Sequence, residues 1–261
     1  MNSVDELYAN RIFLNSVLPL LKVIVDDDPK MAEKFKGITA VIQFSAKTEE
    51  GKVGTHFIID DGVWTVVKGI NEAPTLEFQF KSIGRFNSFF AGKSKQLPKI
   101  NGWRNFKLLI STFTLLLKMA DLLQLTKPPK KTKDRELLVK LFFYLLSSGI
   151  SQLNKAGHPE VTKWTNRSPD RVFAWAVEGK PELTAYIRVK AGKSKAARGE
   201  YKRSKPFFTL KFDSVDSALG ILLELDDMID SNVKGKLIME GSPEYGAQLG
   251  EYMLLVGSYA K

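Results

Sequence analysis

Apolar and polar residues alternate through residues 74–80 (PTLEFQF), and after Ser82 the apolar positions Ile83, Phe86 and Phe90 fall at helical spacing. The same change recurs at residues 206–212 (PFFTLKF). There Val215, Ala218, Leu219 and Leu222 take up the helical spacing after Ser214. Pro74 and Pro206, Phe80 and Phe212, and Ser82 and Ser214 are each 132 residues apart. Pro29 and Pro159 are 130 apart, and Gly102 and Gly241, each closing a short alternating run, are 139 apart. A spacing this long, drifting by a few residues, is that of a duplicated domain rather than a solenoid.

The first copy begins with a long amphipathic helix over 4–26, on the spacing of Leu7, Ile12, Leu14, Val17, Leu20, Leu21 and Ile24. Asp28-Pro29 starts a short helix over 29–36, which Gly37 stops. Strands follow at 38–46, 53–60, 63–69 and 75–80, and Asp61-Gly62 supplies a hairpin turn. A helix over 83–90, a short strand before Gly102 and a long helix over 103–125 complete it. The second copy repeats the order: a helix over 135–156, strands at 170–178 and 183–191, the strand 207–212, a helix over 215–225, the strand 235–240 and a final helix from 242. Phe173, Trp175 and Val177 share one strand face. Where the first copy has the apolar hairpin strand VWTVV, the second has the basic stretch KSKAARGEYKRSK. The domains are therefore 1–126 and 135–261, and the Pro- and Lys-rich segment 127–134 is the linker.

Composition fits this picture. Of 261 residues 44% are apolar, enough for two cores. There is no cysteine, which excludes disulfides, thiolate metal sites and cysteine nucleophiles. The opening MNSVDELYAN is too acidic and polar for a secretory signal, and the longest near-apolar stretch, 108–117, is too short to span a bilayer. A soluble, cytoplasmic protein is expected. The net charge is +10, with basic residues in excess in both halves, and suits anionic lipid surfaces, acyl-CoA head groups or nucleic acid without choosing among them.

Catalytic signatures are missing. No glycine-rich nucleotide loop or GxSxG occurs, and the two histidines, His56 and His158, lack metal-ligand spacing. No cofactor and no metal site are expected. What the chain has in excess is apolar helix surface. The helix over 103–125 is apolar nearly all round and needs cover on two sides. Its own sheet is one cover; the sister copy or a bound lipid is the other.

The run THFIIDDGVWTVVKG with APTLEFQFKSIGRFNSFFAGK, and in the second copy residues 206–254 with GKLIMEGS, resemble the sterol carrier protein (nonspecific lipid-transfer) domain family. The resemblance implies an α+β fold: two tandem copies of a twisted five-stranded sheet with helices packed on it, each enclosing an apolar tunnel. It also implies non-catalytic binding or transfer of a fatty acyl chain, acyl-CoA, sterol or other lipid. Carried over by position, the tunnel walls are Phe86, Phe89, Phe90, Ile110, Phe113 and Leu117 in the first copy. In the second they are Leu219, Leu222, Leu223, Leu249, Met253 and Leu254. The basic run 188–205, including Arg188, Lys190, Lys193, Lys195 and Arg198, would face a lipid head group or a transient anionic membrane surface. The rival reading is a structural or protein-interaction module with collapsed pockets and a protein partner. Nucleic acid is disfavoured, because only Tyr186, Tyr201 and Phe207 flank the basic run as stacking partners.

Overall fold

The computed structural model describes residues 3–260. The chain divides into two compact units, one of Met1–Asp121 with Tyr259–Lys261, the other of Leu122–Ser258. The first unit contains α1 (Val4–Ile12), α2 (Leu20–Asp27), α3 (Pro29–Phe35), β1 (Ala40–Thr48), β2 (Gly51–Asp60), β3 (Val63–Lys68), β4 (Leu76–Phe80), α4 (Ile83–Phe90), β5 (Lys99–Asn101) and α5 (Phe106–Leu123) up to Asp121. The second contains the last two residues of α5, α6 (Thr132–Lys155), α7 (Pro159–Arg167), β6 (Arg171–Val177), β7 (Lys180–Lys190), β8 (Lys193–Arg198), β9 (Phe208–Phe212), α8 (Val215–Leu222), α9 (Met228–Val233), β10 (Leu237–Glu240) and α10 (Pro243–Ala260) up to Ser258. The fold is α+β. Each unit has a mixed five-stranded sheet with helices packed on it, and neither sheet closes into a barrel. The strand orders, β3-β2-β1-β4-β5 and β8-β7-β6-β9-β10, are the same. In each, the central pair is parallel (β1 with β4, β6 with β9).

Local chemistry explains the element ends. Asp28 accepts from Lys30 N at 2.9 Å, and Pro29 opens α3. Ser82 and Ser214 are the N-caps of α4 and α8, accepting from Arg85 N at 3.3 Å and Ser217 N at 3.2 Å. The recurring Phe-x-Ser is thus the last inward residue of a strand followed by the cap of the next helix. The β2–β3 hairpin turns on Asp61 and Gly62, both with positive φ, and the β7–β8 hairpin turns on Ala191 and Gly192 in the same conformation.

Four details depart from the sequence reading. The expected helix over 4–26 is interrupted: residues 13–17 form a wide π-turn, and α2 starts after Pro19. Leu18 N bonds to Phe13 O at 2.9 Å, and the Leu14 carbonyl so released accepts from Thr55 Oγ1 at 2.7 Å. The expected helix over 215–225 ends at Leu222, and a separate helix, α9, is capped by Asp227. The expected linker 127–134 overlaps α6, which begins at Thr132.

The fourth departure concerns β8, where the basic stretch makes a full edge strand although it lacks the apolar residues of β3. In the first unit Trp64 of β3 is buried against Phe35 and Phe57, with ring centroids 4.9 and 5.2 Å away. Ser194 occupies the matching register position in β8. Hydrogen bonds replace the ring: Asn154 Nδ2 donates to Ser194 Oγ at 3.0 Å and to Gly192 O at 3.1 Å, and Ser194 Oγ donates to Ser151 Oγ at 3.1 Å. Thr165 Oγ1 completes the group by donating to Asn154 Oδ1 at 2.6 Å. A fully satisfied buried polar network fixes the strand where apolar burial does not.

Val4–Asp27 and Thr132–Lys155 are long and apolar enough, by length and composition, to cross a bilayer. In each, 72% of the most apolar window is buried inside the protein, as in a core helix.

On the face of the first sheet opposite Phe44, Phe57 and Phe78, Glu77 is buried. Its carboxylate accepts from Ser45 Oγ at 2.7 Å, Gln43 Nε2 at 2.9 Å, Lys52 Nζ at 3.0 Å and Asn101 Nδ2 at 2.8 Å. Burial pushes this carboxyl up, but the four donors together outweigh burial and hold it at about 2. Gln43 Oε1 in turn accepts from Asn71 N at 2.6 Å, fastening the loop after β3. The matching register position in the second sheet is Thr209.

Candidate functional site

Alternation sends Phe44 of β1, Phe57 of β2, and Phe78 and Phe80 of β4 to one face of the first sheet. Helix α4 lies over them. Phe86 is fully buried and Phe89 and Phe90 are half-buried. The rings form one continuous cluster: Phe44 stacks on Phe78 at 5.0 Å, Phe80 meets Phe86 at 5.0 Å and Phe89 at 5.2 Å, and Phe90 lies 6.0 Å from Phe44. The cluster continues outward. Phe113 of α5, half-buried, meets Phe78 edge-on at 5.3 Å. Phe89 and Phe90 on α4 and Phe113 on α5 are thus half-buried rings, each in contact with this buried cluster.

Helix α5 is polar-tethered to its own unit at two points, Ser111 Oγ donating to Lys34 O at 3.3 Å and Lys118 Nζ lying 3.9 Å from Asp28. Its inner face carries Leu108, Leu115 and Met119, all buried, but Ile110 and Leu117 are exposed on the outer face. Of the six wall residues expected in this unit, four belong to the aromatic layer and two lie outside it.

In the second unit Leu219 and Leu249 are buried, Leu222, Leu223 and Met253 are half-buried, and Leu254 is exposed. Met253 Sδ accepts from Trp175 Nε1 at 3.4 Å. Sequence reasoning missed the aromatic wall here. Trp164 meets Phe173 and Tyr252, each at 5.1 Å, and Tyr245 meets Phe207 at 4.9 Å. The available signals were the inward alternation of β6 and the spacing of Tyr245 and Tyr252 on one side of α10. Arg171, at the start of β6, lies over the Phe207 ring at 3.8 Å, and its Nη1 donates to Tyr245 Oη at 3.1 Å. Tyr252 stays protonated: burial, then Glu160 and Glu251, push its phenol up to about 12.

The expected head-group cations divide. Arg188 pairs with Asp170 in a two-pronged contact at 2.6 and 2.7 Å, and Lys190 reaches the same carboxylate at 3.3 Å. Hydrogen bonding from Arg188, followed by Lys190, holds the Asp170 carboxyl at about 2. Arg198 lies over the Tyr144 ring at 4.9 Å, and Lys193 and Lys195 are exposed.

An open groove of about 700 Å³ lies on the face of the second sheet opposite Phe173 and Trp175. Within it Lys211 pairs with Glu178 at 2.8 Å and Lys205 with Glu240 at 3.6 Å. Among the described residues no group of three His, Asp or Glu side chains converges closely enough to hold a metal ion.

No family model and no curated protein matches the chain. Solved sterol-carrier-like structures do resemble it. One is the solution structure of the conserved hypothetical protein TT1886 of Thermus thermophilus, a candidate sterol carrier protein. It is 16% identical, covers 44% of this chain and 85% of its own, and has a TM-score of 0.30. Another is the UbiJ-SCP2 ubiquinone synthesis protein, 17% identical, covering 45% of this chain and 96% of its own, with a TM-score of 0.28.

Proposed function

We propose that the chain is a non-catalytic lipid-binding protein made of two repeats of one domain, taking a fatty acyl chain or similar apolar ligand into the aromatic layer between sheet and helices. The observation that carries this reading is that Phe89, Phe90 and Phe113, all half-buried, each touch the buried ring cluster. These rings connect the buried cluster around Phe44 and Phe78 to the surface of α4 and α5. α5 is apolar on both faces, so it is the element that would lift as a lid. At roughly 0.8 kcal/mol per buried CH₂, ten methylenes supply about 8 kcal/mol, or micromolar affinity, without a polar recognition motif. In the second unit the guanidinium of Arg171, held on Phe207 and Tyr245 beside the apolar layer, suits an acidic head group such as a carboxylate or phosphate.

A second reading, a protein-interaction module with filled interiors, is favoured by the close ring packing around Phe44 and Phe78. Titration of delipidated protein with a fluorescent long-chain fatty acid separates the two. The lipid reading expects saturable micromolar binding that Phe113→Asp weakens at least about tenfold while the circular-dichroism melt stays cooperative. Absence of saturable binding by the wild-type protein favours the filled module.

A further inference from the structure

Two segments carry the excess positive charge of this chain, residues 188–205 and residues 78–120. Residues 78–120 hold eight Lys or Arg and no Asp or Glu; without those eight, the remaining 31 basic residues face 29 acidic ones. The same segment contains a run of exposed large apolar side chains: Trp103 is 53% exposed, Phe106 58%, Ile110 62% and Leu117 63%. Phe106, Ile110 and Leu117 lie within a 40° arc of α5 at 100° per residue, so they form one stripe. Trp103 extends it beyond the helix start, its ring meeting Phe106 edge-on at 5.8 Å.

The stripe is not a requirement of the fold. At the matching positions of α10 stand Pro243, Ala247 and Leu254, and Glu244 and Glu251 replace Lys107 and Thr114. The cations adjoin the stripe in the chain. Lys99 of β5, Arg104 and Lys107 are all exposed, and none forms an ion pair with a described carboxylate. By contrast, two of the cations in the run 188–205 share Asp170.

We infer that the outer face of α5, led by Trp103, is a docking surface for anionic lipid bilayers. The chemistry of the stripe selects this occupant. Trp and Phe at the head of an apolar helix stripe insert at the level of the lipid head groups, and the exposed Lys99, Arg104 and Lys107 near that end favour an anionic leaflet, the exposed Asp121 lying at the far end of the helix. Docking of this kind stands apart from whether a lipid is carried inside.

Vesicle co-sedimentation of the full chain tests it, using phosphatidylcholine alone and phosphatidylcholine mixed with phosphatidylglycerol. Trp103 emission is the second readout; Trp64, Trp164 and Trp175 are already buried. The expected result is at least about tenfold stronger binding to the anionic vesicles, weakened by salt, with a blue shift of tryptophan emission that is absent in Trp103→Phe. Phe106→Asp/Ile110→Asp and, separately, Lys99→Glu/Lys107→Glu each reduce binding about tenfold or more. All four positions are exposed, so thermal melts of the variants should match that of the wild type. Equal binding to both vesicle types, no binding, or full binding by the Phe106→Asp/Ile110→Asp variant overturns the proposal. So does loss of binding in Lys193→Glu/Lys195→Glu with retention in the α5 variants. Concentration-dependent self-association that Phe106→Asp/Ile110→Asp abolishes, without vesicle binding, assigns the stripe to a protein partner and likewise overturns it. Fatty-acid binding measured on the same samples keeps this outcome separate from the internal-ligand reading.

Discussion

Acidification should weaken the first unit through a single buried side chain. The Glu77 carboxyl is held at about 2, against 4.5 when unperturbed. A carboxyl depressed in the folded state adds stability in full above its unfolded value, and that stability is lost as pH falls toward the folded value. The gap is worth about 3 kcal/mol at neutral pH, of which about 2 kcal/mol is gone by pH 3. The second unit has Thr209, which carries no carboxyl, at this register position. Urea titrations at pH 7 and pH 3, followed by the indole NMR signals of Trp64 for the first unit and Trp175 for the second, read the two separately. In Glu77→Gln the Trp64 transition should be destabilised at pH 7, because an amide cannot accept from all four donors. Its loss between pH 7 and pH 3 should then be smaller than the wild-type loss by about 2 kcal/mol. An unchanged pH dependence in Glu77→Gln would refute the assignment.

Three further expectations concern the backbone, each checked by urea denaturation. Ser82→Ala and Ser214→Ala should each lower stability by about 1 kcal/mol, since each removes the cap of one helix. Gly102→Ala should cost roughly 3 kcal/mol or more, because φ is +80° there and a Cβ would collide with the Thr75 carbonyl. Ala191→Asn should raise stability by about 0.5–1 kcal/mol, because Ala191 holds φ of +47° in a turn that suits Asn.

Much of the fold is legible in local pattern. Alternation and helical spacing locate the strands and helices of the first unit, and Asp61-Gly62 reads directly as a turn. The second hairpin is hidden because Ala191 is not a turn-forming residue. Strand β8 is hidden because its anchor, Ser194, makes its bonds to Ser151 and Asn154, about 40 residues earlier in the chain. Glu77 looks like any polar residue on the outer side of a strand, and its four donors come from β1, β2 and β5. In the candidate site the α4 aromatics follow from spacing, but α5 does not resolve itself. A helix apolar nearly all round gives no sign of which side faces its sheet, so Ile110 and Leu117 cannot be told from Phe113 by pattern. The aromatic wall of the second unit depends on β6 and α10 meeting, which neither segment signals alone.

The central claim is that the aromatic layer accepts a guest. Solvent extraction of the purified protein with mass spectrometry, followed by loading of the delipidated protein with an isotope-labelled fatty acid, tests it most directly. The account predicts extractable acyl lipid, or stoichiometric uptake of the labelled chain that Phe113→Asp abolishes. Protein that yields no lipid and takes up none would contradict it.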